Sequence, residues 1–284
     1  MKLKHGEFVI VAAYIQEISA IALEPGKEYL IESRLGDLAR SQSCQSLSEL
    51  TEKCRRDPSG ALARKLIDAI TTGETLFFRD IAPFDLLRHK LIPDLMDRRA
   101  RLGVRTPIRI WSAACSTGQE LYSVAILLRE LLGDAASSQF RLLGTDLSDQ
   151  AVARASAGVF NSIEMARGLS DGQRKRFFIE ESRGWRIRDE LRAMVSFRRL
   201  NLMSDLSGLG AFDIIFCRNV AIYFSDTDRA RLFGRLSRQL EPHGSLIIGS
   251  MESLGPACPH LESYRHLRAV YYQLKANKGD LRVA

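Results

Sequence analysis

The chain is short of the residues that announce several kinds of chemistry. Its five cysteines, Cys44, Cys54, Cys115, Cys217 and Cys258, are odd in number, far apart and without C-x-x-C spacing. That pattern argues against a disulfide framework and structural zinc, and it fits a reducing, cytoplasmic setting. No catalytic histidine or cysteine nucleophile stands out, and no metal is expected. Long apolar runs are also missing. The stretch Phe8 to Ile15 is short and bracketed by Glu7 and Glu17, so it reads as an amphipathic first helix rather than a signal peptide, and no membrane insertion is expected.

Glycine is sparse where a nucleotide fold would concentrate it. Ile108-Arg-Ile-Trp-Ser-Ala-Ala-Cys-Ser-Thr-Gly-Gln-Glu-Leu-Tyr-Ser123 is followed at Phe140 by Arg-Leu-Leu-Gly-Thr-Asp146. An apolar strand runs into a small-residue turn, a helix is predicted from Gln119 to about Leu132, and a second apolar strand ends on an acid, the first half of a doubly wound α/β domain. Helix and returning strand cover the same distance, at ~1.5 Å and ~3.3 Å per residue, so Asp146 is expected beside the turn. Dinucleotide sites fill this turn with glycines so that backbone amides can approach a pyrophosphate. Here only Gly118 is present, followed by Gln119-Glu120. A carboxylate in the first helical turn suits the helix dipole and repels phosphate, so the pocket favours a nucleoside whose other end is cationic. S-adenosylmethionine meets that description, with Asp146 on the ribose hydroxyls and Glu120 near the cationic methionine portion. The competing reading makes Asp146 an N-cap and leaves Glu120 on a solvated face.

With 45% apolar and 26% charged residues in 284, the composition is that of a globular chain able to bury one large core or two modest ones. The net charge of +7 is not spread evenly: residues 1–70 hold ten basic and ten acidic residues, whereas residues 165–200 hold ten basic and five acidic. This is a local basic patch, either a solvated face or a docking surface. The sequence has no Pro-Pro-Tyr/Phe amide motif, no catalytic Cys motif and no aromatic-studded basic groove, so a nucleic-acid methyltransferase is disfavoured.

Residues 1–70 show helical periodicity without strong strands, with Ser46 and Ser48 as N-cap candidates, and predict a small all-helical domain. Residues 71–107 read as a linker with its own helix, roughly Pro83 to Arg99. Residues 108–284 form the α/β domain. Within it, Asp149 to Ala157 and Leu169 to Phe177 are helical. Phe177-Phe-Ile-Glu180, Trp185-Arg-Ile-Arg188 and Met194 to Leu200 have strand character, the first two joined across Glu181-Ser-Arg-Gly184. Phe212 to Cys217 is a buried strand, Asp226 to Leu240 its helix, Ser245 to Gly249 the next strand, and Val270 to Leu274 is expected to close the sheet.

Three further motifs complete the pattern: Thr71-Thr-Gly-Glu-Thr-Leu-Phe-Phe-Arg-Asp80, Asn201-Leu202, and Cys217-Arg-Asn-Val-Ala-Ile-Tyr-Phe224. Together with Ser-Thr-Gly-Gln-Glu and Gly-Thr-Asp they strongly resemble the chemoreceptor glutamate methyltransferases, the CheR family, over nearly the whole chain. The resemblance implies a class I S-adenosylmethionine-dependent methyltransferase domain, a Rossmann-like and mostly parallel sheet with an antiparallel last strand. It adds an N-terminal all-helical domain and a small antiparallel β-subdomain at about 165–200. It implies that Thr75, Arg79, Glu120, Asp146, Asn201, Leu202, Arg218 and Asn219 contact S-adenosylmethionine or its product S-adenosylhomocysteine, and that Arg79 and Tyr223 line the methyl-transfer site. Phe77 and Phe78 are assigned to packing, as is Phe224.

The implied partner is the cytoplasmic helical domain of a methyl-accepting chemoreceptor, whose glutamates become methyl esters. Family members that hold a receptor's C-terminal pentapeptide tether have a longer, glycine-rich hairpin loop, so the short loop here implies a tether-independent enzyme, with a monomer as the default. The chain departs from the family pattern at Gly73, where asparagine is usual, at Gln119-Glu120-Leu121 in place of Glu-Glu-Pro, and at Gly249-Ser-Met-Glu252 in place of Gly-His-Ser-Glu. Those changes keep open an alternative, a catalytically weakened cofactor-binding signalling or scaffold protein.

Overall fold

A computed structural model describes residues 1–254 and 258–275. The first four helices, α1 (Glu7–Ser19), α2 (Glu28–Ser41), α3 (Leu47–Arg56) and α4 (Ala61–Ile70), bury one stripe each. Val11 and Ile15, Ile31 and Leu35, and Leu66 and Ile70 recur four residues apart and meet in a core of their own. Of the two predicted caps Ser46 is the one used, its hydroxyl accepting from the Glu49 amide.

Residues 71–107 do not run as a linker. α5 (Ile81–Leu86) continues through a π-helical turn at Leu87–Leu91 into α6 (Ile92–Leu102). Phe77, Phe84, Leu86, Leu87, Leu91 and Ile92 are buried in the core of the α/β domain. The segment is a helical layer of that domain, because its apolar residues are too many to leave on a tether.

Along the α/β domain follow β1 (Ile108–Ala113), α7 (Gln119–Leu132), the single turn α8 (Ala136–Gln139), β2 (Phe140–Asp146) and α9 (Asp149–Ala157). Next come β3 (Val159–Phe160), α10 (Ser162–Met165), α11 (Asp171–Phe177), β4 (Phe178–Glu181), β5 (Gly184–Ile187), α12 (Asp189–Arg192) and β6 (Val195–Arg199). The remainder is β7 (Phe212–Cys217), α13 (Asp226–Ser237), β8 (Leu240–Ile248), β9 (Leu261–His266) and β10 (Ala269–Leu274).

The large sheet has the order β6-β2-β1-β7-β8-β10-β9. β6, β2, β1, β7 and β8 are mutually parallel, and β10 runs antiparallel to both of its neighbours. This is the expected mostly parallel methyltransferase sheet with its last strand reversed, preceded by the helical domain.

Two details differ from the sequence reading. β10 does not close the sheet but is inserted between β8 and β9. β9, Leu261-Glu-Ser-Tyr-Arg-His266, is polar and largely exposed, so it carries no apolar alternation to announce it. The third run assigned to the β-subdomain is β6, which pairs parallel with β2 in the large sheet. The small sheet is β3-β5-β4, so it draws on residues 159–187 rather than on all of 165–200. Its hairpin turn is tight: Gly184 has φ +134°, and a Cβ there would lie 2.5 Å from the Phe160 carbonyl oxygen.

Candidate functional site

Strand order reverses between β1 and β7, and in such sheets ligands sit beyond the carboxyl ends of the strands at that point. A cavity of about 980 Å³, measured out to its open mouth, lies there. Thr75, Arg79, Glu120, Asp146, Asn201, Leu202, Arg218, Asn219 and Tyr223 all line it. Residues that are more than a hundred positions apart in sequence are thus brought to one wall by the parallel strands.

Asp146 ends β2. Its Oδ2 accepts from the Ser116 amide at 2.8 Å and its Oδ1 from the Ser148 amide at 3.0 Å. Ser148, not Asp146, caps α9, which removes the N-cap reading. Burial pushes the Asp146 carboxyl above the usual carboxylate range, against the opposing pull of those amides. Each oxygen keeps acceptor capacity for a hydroxyl.

Glu120 lies in the first turn of α7, entered through Gly118 at φ +94°, where a Cβ would crowd Ala155 at 3.0 Å and Phe197 at 3.2 Å. Its Oε1 accepts from the Ser112 hydroxyl at 2.7 Å and its Oε2 from Arg218 Nη1 at 2.8 Å. The Arg218 side chain is only 2% exposed. Its Nη2 donates to the Arg79 carbonyl at 2.7 Å and to Asp80 Oδ2 at 2.9 Å. Arg218 therefore ties the end of β7 to α7 and to the 71–80 segment, a role the sequence did not reveal. Its Nε is buried without a partner among the described residues. The Arg218 guanidinium at the cavity wall suits an anionic group nearby, and the carboxylate of Glu120 beside it suits an ammonium. The donor set thus fits the two ends of S-adenosylmethionine's amino-acid portion, and Asp146 fits its ribose.

Backbone strain gathers at this cavity. Phe78 (φ 49°) and Asp80 (56°) flank Arg79, Ala114 (62°) and Ser116 (50°) shape the turn after β1, and Asn219 (58°) follows Arg218. Such conformations cost roughly 1–3 kcal/mol each and persist only where the surroundings over-determine them. Asn219 shows how. Glu252 Oε2 accepts from the Asn219 amide at 2.8 Å and from the Gly249 amide at 2.7 Å, while its Oε1 accepts from the Val220 amide at 3.0 Å. Glu252 was missed as a site residue, although it directly follows the exchanged Ser250-Met251 pair. At Gly73 the carbonyl accepts from the Ser116 hydroxyl at 2.9 Å, and a Cβ would meet only ordinary contact, 3.6 Å from that hydroxyl.

The helical domain completes the cavity through Ser19 and Ile21, which the motif reading missed, and the start of the 71–80 segment adds Thr71 and Thr72. Ile21 bridges Phe224, and the Ala22 amide donates to the Tyr223 carbonyl at 2.8 Å. Asn201 Nδ2 donates to the Ile18 carbonyl at 3.2 Å and its Oδ1 accepts from the Met203 amide at 2.9 Å. Its side chain is thus engaged in docking the two domains, which leaves the segment's backbone and the Leu202 side chain for a base. Arg79 Nη1 donates to the Glu74 carbonyl at 3.1 Å, and Asp80 is paired with Arg218 instead of with Arg79. Tyr223 stays 41% exposed at the mouth. Phe77 packs edge-on to Phe160 and Phe178, and Phe78 to Phe84. Burial pushes the Cys115 and Cys217 thiols well up, so neither is an available thiolate at neutral pH. Among the described residues no group of three or more His, Cys, Asp and Glu side chains could hold a metal ion, and no helix is long and apolar enough to cross a membrane.

Comparison with known proteins shows the family. Residues 73–269 match the family described as CheR methyltransferase, SAM binding domain, and residues 6–71 match CheR methyltransferase, all-alpha domain. The chain is 36% identical over 274 residues to chemotaxis protein methyltransferase Cher2 of Pseudomonas putida, covering 95% of this chain and 98% of that one. It is 35% identical over 280 residues to chemotaxis protein methyltransferase 1 of Pseudomonas aeruginosa, covering 97% and 100%. It is 36% identical over 265 residues to chemotaxis protein methyltransferase 1 of Vibrio cholerae, covering 92% and 94%. The chain belongs to the CheR methyltransferase family, with an all-α domain in front of a domain that binds S-adenosylmethionine.

Proposed function

We propose that the chain transfers the methyl group of S-adenosylmethionine to glutamate side chains on the cytoplasmic helical domain of a methyl-accepting chemoreceptor, giving glutamyl methyl esters for sensory adaptation. One observation carries this reading above all. Asp146, Glu120 and Arg218 converge in one cavity that lacks a phosphate cradle, and Arg79 and Tyr223 stand with them in its lining. Asp146 holds the ribose hydroxyls, Glu120, braced by Arg218, the ammonium, and Thr75, Arg79, Asn201, Leu202 and Asn219 complete the pocket. S-adenosylmethionine, when bound, supplies an electrophilic methyl group on sulfur.

The chain's own residues have little covalent work to do. A glutamate with an ordinary pKa near ~4.3 is ionised at neutral pH, so no general base is required. This agrees with a lining that contains no histidine and only a buried, protonated thiol at Cys115. The attacking carboxylate and the sulfonium neutralise one another as the bond forms, so a site that over-solvates the carboxylate slows the step. Arg79 and Tyr223 steer and orient the acceptor, while Ile21 of the helical domain and Thr72 help to exclude water. Alignment of this kind is worth up to roughly 7–11 kcal/mol in ideal cases.

Arg79→Ala is expected to cut tritium transfer from labelled cofactor to receptor-containing membranes roughly 10- to 100-fold while the fold persists. Near-normal methylation by that variant would refute the assignment. The same assay separates an enzyme from a scaffold that keeps the cavity and has lost transfer.

The acidic receptor helix is drawn to the basic surface of the small sheet and α11, where Arg174, Lys175, Arg176 and Arg183 are clustered in sequence. Arg198 and Arg199 lie apart on β6, and Arg199 approaches Asp149 at 3.5 Å. The β4–β5 hairpin turns within Ser182-Arg183, which supports tether independence: calorimetry with a receptor C-terminal pentapeptide should show no binding in the micromolar range, and binding there would overturn the idea. The working form is a cytoplasmic monomer that does not act on nucleic acid.

A further inference from the structure

The helical domain reaches the cofactor cavity by a second route, behind Asp146. Asp68 on α4 accepts from the Ser148 hydroxyl at 2.6 Å and from the Gln150 amide at 3.3 Å. A carboxylate of one domain thus sits on the N-terminus of a helix in the other, where the helix dipole favours it. Ser148 is the connecting piece. Its Oγ also accepts from the Ala151 amide at 3.0 Å, and its own amide donates to Asp146 Oδ1 at 3.0 Å. A continuous hydrogen-bonded chain therefore runs from α4 through Ser148 to the Asp146 carboxylate.

Side-chain packing does not secure Asp146 on this side. A second cavity of about 490 Å³ lies there, bordered by Asp68, Gly73, Ser116, Ser148 and Arg154, and it shares Asp146 with the main one. The orientation of Asp146 consequently depends on its hydrogen bonds, and one of them comes from the residue that Asp68 holds.

We propose that Asp68 is a positioning residue for the cofactor, fixing Ser148 and through it the Asp146 carboxylate, so that the helical domain is part of the ribose subsite. The proposal rests on the assignment of Asp146 to the ribose. It has a consequence for regulation. α4 packs on α2 and on α9, so an acceptor that shifts the helical domain alters cofactor affinity, and by linkage the cofactor alters acceptor affinity by the same factor.

A merely adhesive role for Asp68 is separated from a positioning one by pH. The charged and titratable groups around Asp146 are Asp68 from α4, Asp149 and Arg154 from α9, Arg199 opposite it in register on β6, and the protonated thiol of Cys115. Burial is the main reason the Asp146 carboxyl is raised, and the negative charge of Asp68 adds to it. Asp68→Asn keeps an acceptor oxygen and removes the charge. It should therefore hold S-adenosylhomocysteine affinity within about twofold at neutral pH and move the pH midpoint of binding downward.

The experiment is calorimetry of the full chain with S-adenosylhomocysteine from roughly pH 5 to 8. Asp68→Ala should weaken binding roughly three- to tenfold at neutral pH. Arg64→Ala, which removes the neighbouring interdomain pair with Asp149, should leave it unchanged. Wild-type affinity in Asp68→Ala, an unshifted profile in Asp68→Asn, or an equal loss in Arg64→Ala would each overturn the proposal. If Asp68→Ala fails to fold, the Asp68→Asn profile decides alone. Failure of wild type to bind, or normal binding by Asp146→Ala, would instead overturn the ribose assignment and this proposal with it.

Discussion

Arg218→Ala is expected to destabilise the α/β domain by about 3–5 kcal/mol, because removing one partner of a buried ion pair leaves the other charge uncompensated. Arg218 is 2% exposed and Glu120 13% exposed at their side chains, and the Arg79 carbonyl loses its donor in the same substitution. For a chain of this size that loss corresponds to a fall in Tm of roughly 5–8 °C. Arg218→Lys should rescue little, since an ammonium cannot present the planar fork that reaches Glu120, Asp80 and the carbonyl together. Pairing Arg218→Met with Glu120→Gln should recover part of the stability by removing the stranded charge. A thermal scan in which Arg218→Ala melts within a degree or two of wild type would show that this guanidinium does not hold the three segments together.

Asp146→Ala is expected to weaken S-adenosylhomocysteine at least about 100-fold, since two hydrogen bonds to an ionised group are lost and each is worth roughly 1.5–3 kcal/mol. The wild-type affinity should also depend on pH in a defined direction. Burial raises the Asp146 carboxyl in the folded chain, so the folded state keeps this proton to higher pH than the unfolded state. Ionisation then costs stability, and the ligand-free protein loses stability as pH rises from the ordinary aspartate range through the raised folded value. Ribose hydroxyls donate to the ionised form, so affinity rises through the same window in which the ligand-free fold weakens. Calorimetry across that window checks both parts: Asp146→Asn should abolish the slope, and a wild-type profile flat down to the acid limb would contradict the assignment.

Much of this site was legible in the amino-acid sequence. β1, α7 and β2 follow from local periodicity, and the equal lengths of α7 and β2 place Asp146 beside the turn after β1. The motifs at 71–80, 201–202 and 217–224 name the residues that line the cavity. The misreadings share one cause, which is that a strand's partner is not written in the strand. Val195–Arg199 has strand character wherever it pairs, and only the register with β2 assigns it to the large sheet. β9 is polar because it lies at an exposed edge, and 71–107 looked like a linker because the surfaces that bury Phe84 and Leu87 come from later in the chain.

Side-chain roles divide the same way. The amino-acid order alone determined the fold class, the absence of a phosphate cradle and the identity of the acids that line the cavity, since these depend on residue type and local spacing. The tertiary structure decided that Arg218 braces Glu120, that Asn201 fastens the helical domain, that Glu252 fixes the Asn219 turn and that Asp68 backs Asp146. Each of those links joins positions 33 to 183 residues apart, and a hydrogen bond is short and directional. Only the assembled fold brings such partners to within about 3 Å.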